Sequence, residues 1–440
     1  PCTEAGVSRA IDRYLQRHAE PALLKAPGRA RWDNVAVVPY YREPPESLAS
    51  FQAPFTNAGR LLVIAVLNRP DTEAGTDCNA PLREAIQQLP RLDSSDAPLF
   101  RLADSTDLLL LDLDESGPLD AGEGVGLARK TGCDLALAWH VQGRIASPWI
   151  NSTDADARLP TDYFSRLPSQ RHAAICWPYC HGDSDTQEQT LACQRYELRL
   201  HHYVLGLAWA GSPYAFHTLG SCISIHTEHY AQVGGFPRRN GAEDFYLLNK
   251  LAKTGPVLSA SGDCLYLQAR PSDRVPFGTG PAIRDILQDS NPDTRAMYDH
   301  PHVFVALRAV QQSVTGLRSV GIEQLDTLLE EHGCDSALAA AAAAALINAG
   351  LPRALEHCRQ HSSTGDDFRR HFEQWFDGFR TLKFLHALRD SGYPDLALGE
   401  LAENVPIFWP DLAGDPRQPK QWLRAARRHL GWHCRDPEYS

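Results

Sequence analysis

The feature that most constrains the fold is a series of short, uninterrupted apolar runs in the first half of the chain. The clearest is Leu61–Leu67, in which every residue is aliphatic. Comparable runs, which we expect to be strands, lie at 35–38, 108–113 and 134–139. Segments with helical spacing, such as Leu82, Ile86 and Leu89, separate these runs. Strands that are apolar on both faces need cover on both faces, so the pattern predicts an α/β domain with a mostly parallel sheet flanked by helices.

The pattern changes near residue 290, where strand-like runs give way to helical ones. Helices are expected at 303–314, 322–329, 337–358, 368–388, 396–402 and 421–430. The polar stretch 289–293 contains Asn291 followed by Pro292, which suits a boundary. We therefore expect a helical extension at 1–32, an α/β domain at 33–290 and an all-α domain at 291–440.

Charge and composition exclude several classes of protein. The net charge of -11 disfavours binding to nucleic acid or to anionic membranes. The most membrane-like stretch, 337–347, is shorter than the roughly 20 residues that a membrane span needs. Eleven cysteines form an odd number spread along the chain, which favours reduced thiols over a disulfide framework. We expect a cytoplasmic protein without an integral membrane segment.

The first segment with candidate chemistry is the turn at 37–43, where an apolar run ends at Pro39. Ligands of open α/β sheets bind beyond the carboxyl ends of the strands, so residues of this turn could contact one. Any buried strand that leaves a sheet through proline has the same appearance, and the alternative of a plain turn stays open.

The second segment contains Asp154 and Asp156, which follow the apolar residues Trp149 and Ile150. At a turn two such carboxylates can converge on one ion, and Mg²⁺ and Mn²⁺ prefer oxygen ligands. The alternative is a solvated turn that caps a helix after Pro160.

The third segment is Glu243–Asp244, at the start of a predicted helix. Phe245, Leu248 and Leu251 have the spacing of one buried helix face. The two carboxylates could serve catalysis, or they could only complement the helix dipole.

In this order, the segments resemble the family 2 glycosyltransferases over about 33–280. The matching positions are 37–43, 126–132, 154–156 and 234–251. The resemblance implies the GT-A fold and an inverting, metal-dependent transfer from a nucleotide-sugar. The expected cofactor is Mn²⁺ or Mg²⁺, the donor a UDP- or GDP-sugar, and the acceptor a glycan or another hydroxyl compound. The chain departs from the family at Arg42, where Asn is usual, and at 67–71, where the Asp-rich turn is missing.

The resemblance also implies roles for individual residues. It assigns metal binding to Asp156 and Asp154, with the donor ribose as an alternative partner of Asp154. Asp244 would be the general base and Glu243 would support it. Residues around the nucleotide would be Pro39, Tyr41, Glu43, Asn68, Asp71, Arg129, Asp154 and, on a loop that closes over the diphosphate, Arg274. The helical domain could mediate homo-oligomerisation.

Three other interpretations remain. The chain could be a catalytically silent GT-A-like module that binds a nucleotide-sugar or acts as a scaffold. A nucleotidyltransferase would share a related fold, although 39–45 does not resemble the Gly-rich basic loop of those enzymes. Separately, Cys176, Cys180, His181 and Cys193 could hold structural zinc, but their spacing matches no common finger and buried free cysteines are the alternative.

Overall fold

The computed structural model describes residues 8–20, 30–73, 75, 77–92, 97–115, 117–120, 122–169, 172–182, 184, 186–268 and 278–434. The described residues form two compact units, each built from more than one stretch of chain. The sheet unit takes its residues from 1–185, 218–284 and 431–440, and the helical unit takes its residues from 186–217 and 285–430.

The helices and strands are numbered in chain order. The helices are α1 (Arg9–Arg17), α2 (Ala80–Gln87), α3 (Gly124–Val141), α4 (Gln187–Trp209), α5 (Thr227–Val233), α6 (Glu243–Leu251), α7 (Thr279–Leu287), α8 (Pro301–Ser313), α9 (Leu325–Glu331), α10 (Ser336–Asn348), α11 (Leu351–His361), α12 (Gly365–Trp375), α13 (Gly378–Asp390), α14 (Leu398–Glu403) and α15 (Pro419–His429). The strands are β1 (Asn34–Tyr40), β2 (Leu61–Leu67), β3 (Leu99–Ala103), β4 (Thr106–Asp112), β5 (Trp149–Ser152), β6 (Ala174–Cys176), β7 (Tyr179–His181), β8 (Ile223–His226), β9 (Val257–Ser259), β10 (Gly262–Asp263), β11 (Leu265–Leu267) and β12 (Trp432–His433).

An eight-stranded sheet forms the centre of the sheet unit, in the order β3-β4-β2-β1-β5-β8-β6-β9. Strands β4, β2, β1 and β5 are parallel, and Val37 of β1 lies between Ile64 of β2 and Ser152 of β5. β3 pairs antiparallel with β4, and β8 runs antiparallel between β5 and β6. The sheet is therefore mixed, with the predicted parallel arrangement at its centre.

The central strands are the part that the apolar runs predict best. β2 has the same bounds as the predicted run Leu61–Leu67, and all its residues are buried. β1 contains the run at 35–38, and β4 contains the run at 108–113 except for its last residue, Leu113. Burial on both faces explains why these strands do not alternate apolar and polar residues.

The prediction of a strand at 134–139 is wrong, because these residues belong to α3. Residues 135–139 are all apolar and buried within this 18-residue helix, so they show no polar stripe. Periodicity cannot separate such a segment from a buried strand. Asp134 is 0% exposed and accepts hydrogen bonds from Tyr14 Oη (2.6 Å), Lys130 Nζ (2.8 Å) and Tyr230 Oη (2.8 Å).

The two units divide the chain differently from the expected boundaries at 32 and 290. α1 belongs to the sheet unit, where Tyr14 bonds to Asp134. α4 belongs to the helical unit, in which Glu197 of α4 pairs with Arg427 of α15 (2.6 Å). Residues 431–434 return to the sheet unit, where β12 pairs with β10.

Two of the predicted long helices are each divided into a pair. Gly350, at φ 93°, separates α10 from α11 within 337–358. Asp377 caps α13 by accepting from the backbone N–H of Arg380 (3.0 Å), and so separates it from α12 within 368–388. Within the described ranges no single helix combines the length and apolar character of a membrane span. Taken together, α10 and α11 are long and apolar enough, but the pair is bent by 72°.

Gly132 allows α3 to lie close against the sheet. A Cβ atom at this position would be 2.4 Å from Cγ1 of Val37 and 3.0 Å from Cγ2 of Val66. We expect Gly132→Ala to lower the free energy of unfolding by up to about 2 kcal/mol, because an overpacking cost of ~1–3 kcal/mol outweighs the ~1 kcal/mol gained in helix propensity. Urea denaturation followed by circular dichroism measures this change.

Gly399 of α14 provides the matched control, since no described atom would lie within 4 Å of a Cβ there. Gly399→Ala should leave stability unchanged or raise it by up to ~1 kcal/mol. Equal effects of the two substitutions would contradict a close approach at Gly132.

Candidate active site at the carboxyl edge of the sheet

The strand order reverses next to β1, and this reversal locates the candidate site. Going along the chain, β2 and β4 are added on one side of β1, whereas β5 is added on the other. The connections after β1 and β5 therefore diverge, which leaves a crevice beyond the carboxyl ends of these two strands. The backbone N–H of Thr153 donates to the carbonyl of Val37 (3.1 Å), so the two strand ends are held side by side.

Arg129 lies at the centre of this edge and connects three segments. Its side chain is 3% exposed. It donates to Ser152 Oγ (2.7 Å) and the Thr153 carbonyl (3.3 Å) at the end of β5, and it pairs with Asp154 (2.5 Å). It also pairs with Glu243 Oε1 at the start of α6 (3.0 Å). One buried cation thus holds together two of the motifs that the sequence singled out.

Asp154 and Asp156 lie just after β5, as predicted. The Asp154 side chain is 40% exposed although it pairs with Arg129, so its carboxylate is reachable from solvent. Asp156 is partly exposed, and the backbone turn between them is closed by a hydrogen bond from the N–H of Ala157 to the Asp154 carbonyl (3.1 Å). This turn places two carboxylates with access to solvent at the crevice, a donor set that suits a hard divalent cation.

Asp244 is held by backbone groups at the same edge. Its Oδ1 accepts from the N–H of Phe245 (2.6 Å), and the N–H of Gly220 also donates to it. Burial and the neighbouring Glu243 carboxylate raise the pKa of Asp244 from 3.8 to about 7, against the opposing effect of Arg129 and the two backbone donors. In the folded protein the effect of burial on this pKa is therefore the dominant one.

α6 presents its first two residues through an unusual backbone turn. Gly241 and Ala242 both have positive φ values, 124° and 55°. Ala242 is a non-glycine residue in the left-handed region, a conformation that is found where the surroundings enforce it. The helix is anchored by Leu247, Leu248 and Leu251, each 0% exposed. Phe245, expected on the buried face, is only partly buried and Leu247 takes its place.

Two buried thiols lie near the carboxylates and were missed by sequence reasoning as part of this site. Cys222 and Cys176 are 2% and 4% exposed. Burial raises the pKa of both thiols, and the charges of Asp154 and Asp156 contribute for Cys222, as Asp244 does for Cys176. The raised pKa keeps both thiols protonated and uncharged.

The residues expected around a nucleotide lie at the ends of β1 and β2. Pro39 lies within β1, and Tyr41 follows it in contact with the Arg42 guanidinium, 5.0 Å from the ring. Glu43 is buried, and the side chain of Asn68 donates to the Tyr40 carbonyl (3.1 Å).

Asp71 and Arg274 are two further residues that were predicted to contact the donor. Asp71 is exposed at the start of a short 3₁₀ turn, and its backbone N–H donates to the carbonyl of Leu119 (2.9 Å). Arg274 lies outside the described residues.

A second Asp-X-Asp sequence, which the sequence analysis did not consider, begins at the last residue of β4. Asp114 pairs with Arg69 (2.7 Å) and Arg83 (3.4 Å), and Asp112 pairs with Arg83. Both carboxylates are largely buried in these contacts. The signal that could have found them is the same as for Asp154 and Asp156, namely two carboxylates after an apolar strand.

Ser152 and Gly220 are the other site residues that sequence reasoning missed. Ser152 Oγ accepts from Arg129 and donates to the Gly220 carbonyl (3.1 Å). A Cβ atom on Gly220 would lie 2.7 Å from Nη2 of Arg129, so glycine leaves the room that the guanidinium occupies. Neither residue carries a sequence signal of its own.

The cysteines considered for zinc do not form one group. Cys180 lies with Cys264 and Cys434, whereas Cys176 lies near Cys222 and Cys193 belongs to α4 of the helical unit.

The chain is similar in structure to several solved proteins. No protein-family model and no curated protein matches the chain. Among solved structures, the chain is similar to the mannosyltransferase PcManGT from Pyrobaculum calidifontis, determined in complex with GDP-Man and Mn²⁺. The TM-score is 0.33 and the identity 19%, over 82% of this chain and 91% of that chain. Likeness at this level assigns neither family nor activity.

We expect Arg129→Gln to lower the free energy of unfolding by about 3–5 kcal/mol, because a buried carboxylate is left without its cation. Arg389→Gln is the control, since Arg389 and its partner Asp390 are both exposed, at 38% and 68%. It should cost only ~0–1 kcal/mol. Chemical denaturation of both variants measures the difference, and similar losses would show that Arg129 does not tie the site together.

Proposed function

We propose that this chain is a metal-dependent, inverting glycosyltransferase that moves a sugar from a nucleoside-diphosphate sugar to an acceptor hydroxyl. The observation that carries the proposal is the joint contact of Arg129 with Asp154 and Glu243, at the point where the strand order reverses. It brings a candidate cation site and a candidate base to one crevice. Both are needed for a reaction in which a diphosphate leaves and a hydroxyl attacks.

The cation site fits the residues present. Asp154 and Asp156 offer only oxygen ligands, and the substantial exposure of Asp154 leaves its carboxylate accessible. Mg²⁺ and Mn²⁺ are held in this way by one or two carboxylates together with substrate phosphates. When bound, the cation would neutralise negative charge on the leaving diphosphate.

The chain's own residues would orient the donor. Arg129 already donates four hydrogen bonds, to Ser152, Thr153, Asp154 and Glu243, so we assign it to holding the carboxylates rather than to binding phosphate directly. Tyr41 and Glu43, at the end of β1, would contact the nucleoside together with the backbone around Asn68. Because β1 and β5 are adjacent, these residues and Asp154 are available to the two ends of a single donor molecule.

Asp244 would accept the proton of the acceptor hydroxyl. A base is most effective when its pKa lies near the working pH, and the pKa of Asp244 at about 7 meets that condition. Glu243, held by Arg129, keeps the neighbouring negative charge that raises this pKa. Attack by the deprotonated oxygen from the side opposite the diphosphate is a single displacement, which inverts the configuration of the sugar carbon.

The proposal is tested by a thermal-shift screen of UDP-, GDP- and dTDP-sugars, each with Mn²⁺ and with EDTA. A ligand that binds only the folded state raises the melting temperature. We expect one nucleotide class to raise it, and only with the cation. Transfer to simple glycosides, followed by mass spectrometry, then separates an enzyme from a silent binding module, which would show the shift without product.

Asp156→Ala should abolish the cation-dependent part of nucleotide binding. The reason is that Asp156 would supply one of the few protein ligands to the cation. Isothermal calorimetry with GDP and UDP, in Mn²⁺ and in EDTA, measures this part. Asp162→Ala is the control, because Asp162 follows the same strand but lies outside the motif. If the unsubstituted chain binds the nucleotide with the same affinity in Mn²⁺ and in EDTA, the proposal is contradicted.

Asp244→Asn should reduce turnover by ~10²–10⁴ while donor affinity changes little, because the amide retains the shape but cannot accept the proton. Initial rates and calorimetry together give this separation. Glu228→Gln, in the first turn of α5, is the control for a helix-capping carboxylate and should leave turnover unchanged. A fully active Asp244→Asn enzyme would mean that the base lies elsewhere.

The raised pKa of Asp244 also predicts how stability depends on pH. Between pH ~4 and ~7 the folded protein keeps a proton that the unfolded chain has released, so this group makes stability fall as pH rises. Asp244→Asn removes the effect. The melting temperature of the variant relative to the parent should therefore be higher at pH 8 than at pH 5. A difference independent of pH would contradict the raised pKa.

A further inference from the structure

Three cysteine thiols from distant parts of the sequence meet at one place in the sheet unit. Cys180 lies in β7, Cys264 lies between β10 and β11, and Cys434 follows β12. The three sulfur atoms all lie within 4.8 Å of one another, and Cys264 and Cys434 are 3.0 Å apart at Sγ. Cys180 and Cys264 are 1% and 3% exposed, and Cys434 is partly exposed.

Backbone pairing on both sides fixes these positions. β7 and β11 are parallel, with Cys180 opposite Tyr266. β10 pairs with β12, and the N–H of Cys264 donates to the carbonyl of His433 (3.1 Å). Trp432 packs beside them, with its ring centroid 5.2 Å from that of Tyr179 and its Nε1 donating to the Ala260 carbonyl (3.1 Å). The cluster is thus built into a hydrogen-bonded framework rather than left to mobile side chains.

A metal ion held by the three sulfur atoms would be the largest local charge and would deprotonate the thiols that it coordinates. The three protons would pass to solvent.

We propose that Cys180, Cys264 and Cys434 bind a structural Zn²⁺ ion, separate from the carboxylate site. Thiolates are the soft ligands that zinc takes in structural centres. Among the described residues no fourth histidine, cysteine or carboxylate joins the group, and Cys434 is partly exposed, so a water molecule would complete the coordination. A disulfide between Cys264 and Cys434 would use only two of the three thiols and would not explain why Cys180 lies beside them.

The ion would link residues 431–434 to the strand that supports the candidate active site. β11 forms a bridge on its other side with Arg158, in which the N–H of each residue, Arg158 and Tyr266, donates to the carbonyl of the other (2.8 and 2.9 Å). Arg158 is two residues beyond Asp156. Zinc would therefore stabilise the strand against which the segment after the carboxylate pair is held. This inference stands without the proposed function.

The test is the zinc content of the full-length chain after reconstitution with Zn²⁺ and removal of free metal. We expect ~1 equivalent of zinc in the parent protein and a loss of most of it in Cys264→Ser. Cys193→Ser is the matched control, since Cys193 is 2% exposed but belongs to α4, and it should retain the parental content. Asp156→Ala should also retain it, which separates this site from the carboxylate site.

A second measurement covers the case in which Cys264→Ser does not fold. Replacement of zinc by Co²⁺ in the parent protein should produce thiolate-to-metal charge-transfer absorption, which a carboxylate site does not give. A chain that binds no zinc and shows no such absorption would overturn the proposal, whether its thiols are free or Cys264 and Cys434 are found as a disulfide. Equal loss of zinc in Cys193→Ser would overturn it as well.

Discussion

The candidate site depends on one buried guanidinium. Burial of an arginine is costly unless all its partners are in place, and Arg129 finds them on the end of β5, on the turn after it and on α6. The room for this side chain exists because Gly220 has no Cβ, and α3 lies close to the sheet because Gly132 has none. Displacement of any of these segments would leave a charge unpaired, so the arrangement is cooperative.

Much of the sheet could be predicted from the sequence, and the reason is local. Strands such as β2 are buried on both faces, so they consist of consecutive apolar residues that can be recognised in the sequence. The same reasoning fails for α3. This helix is also buried over most of its length, so part of its sequence resembles that of a buried strand. The antiparallel strands β6 and β8 are three and four residues long, too short to show a pattern of their own.

The residues of the candidate site likewise fall into those that could be predicted from the sequence and those that could not. Asp154, Asp156, Glu243 and Asp244 could be predicted because each pair follows an apolar strand or opens a helix. That Arg129 joins Asp154 to Glu243 could not be derived from spacing, since it depends on how three segments pack. Asp112 and Asp114 show the limit of such motifs, for the same pattern there is neutralised by Arg69 and Arg83. The thiol cluster joins residues 170 positions apart, beyond the reach of any local motif.

The division of the chain between the two units has a consequence for biosynthesis. The polypeptide passes from one unit to the other at four points, near residues 185, 217, 284 and 430. A ribosome that has completed β9 has therefore already released α4, whose partner α15 has not yet been made. The sheet unit in turn is incomplete until β12 has been synthesised and can pair with β10. Neither unit can finish folding as an independent N-terminal domain during translation, and neither can be released by cutting the chain once.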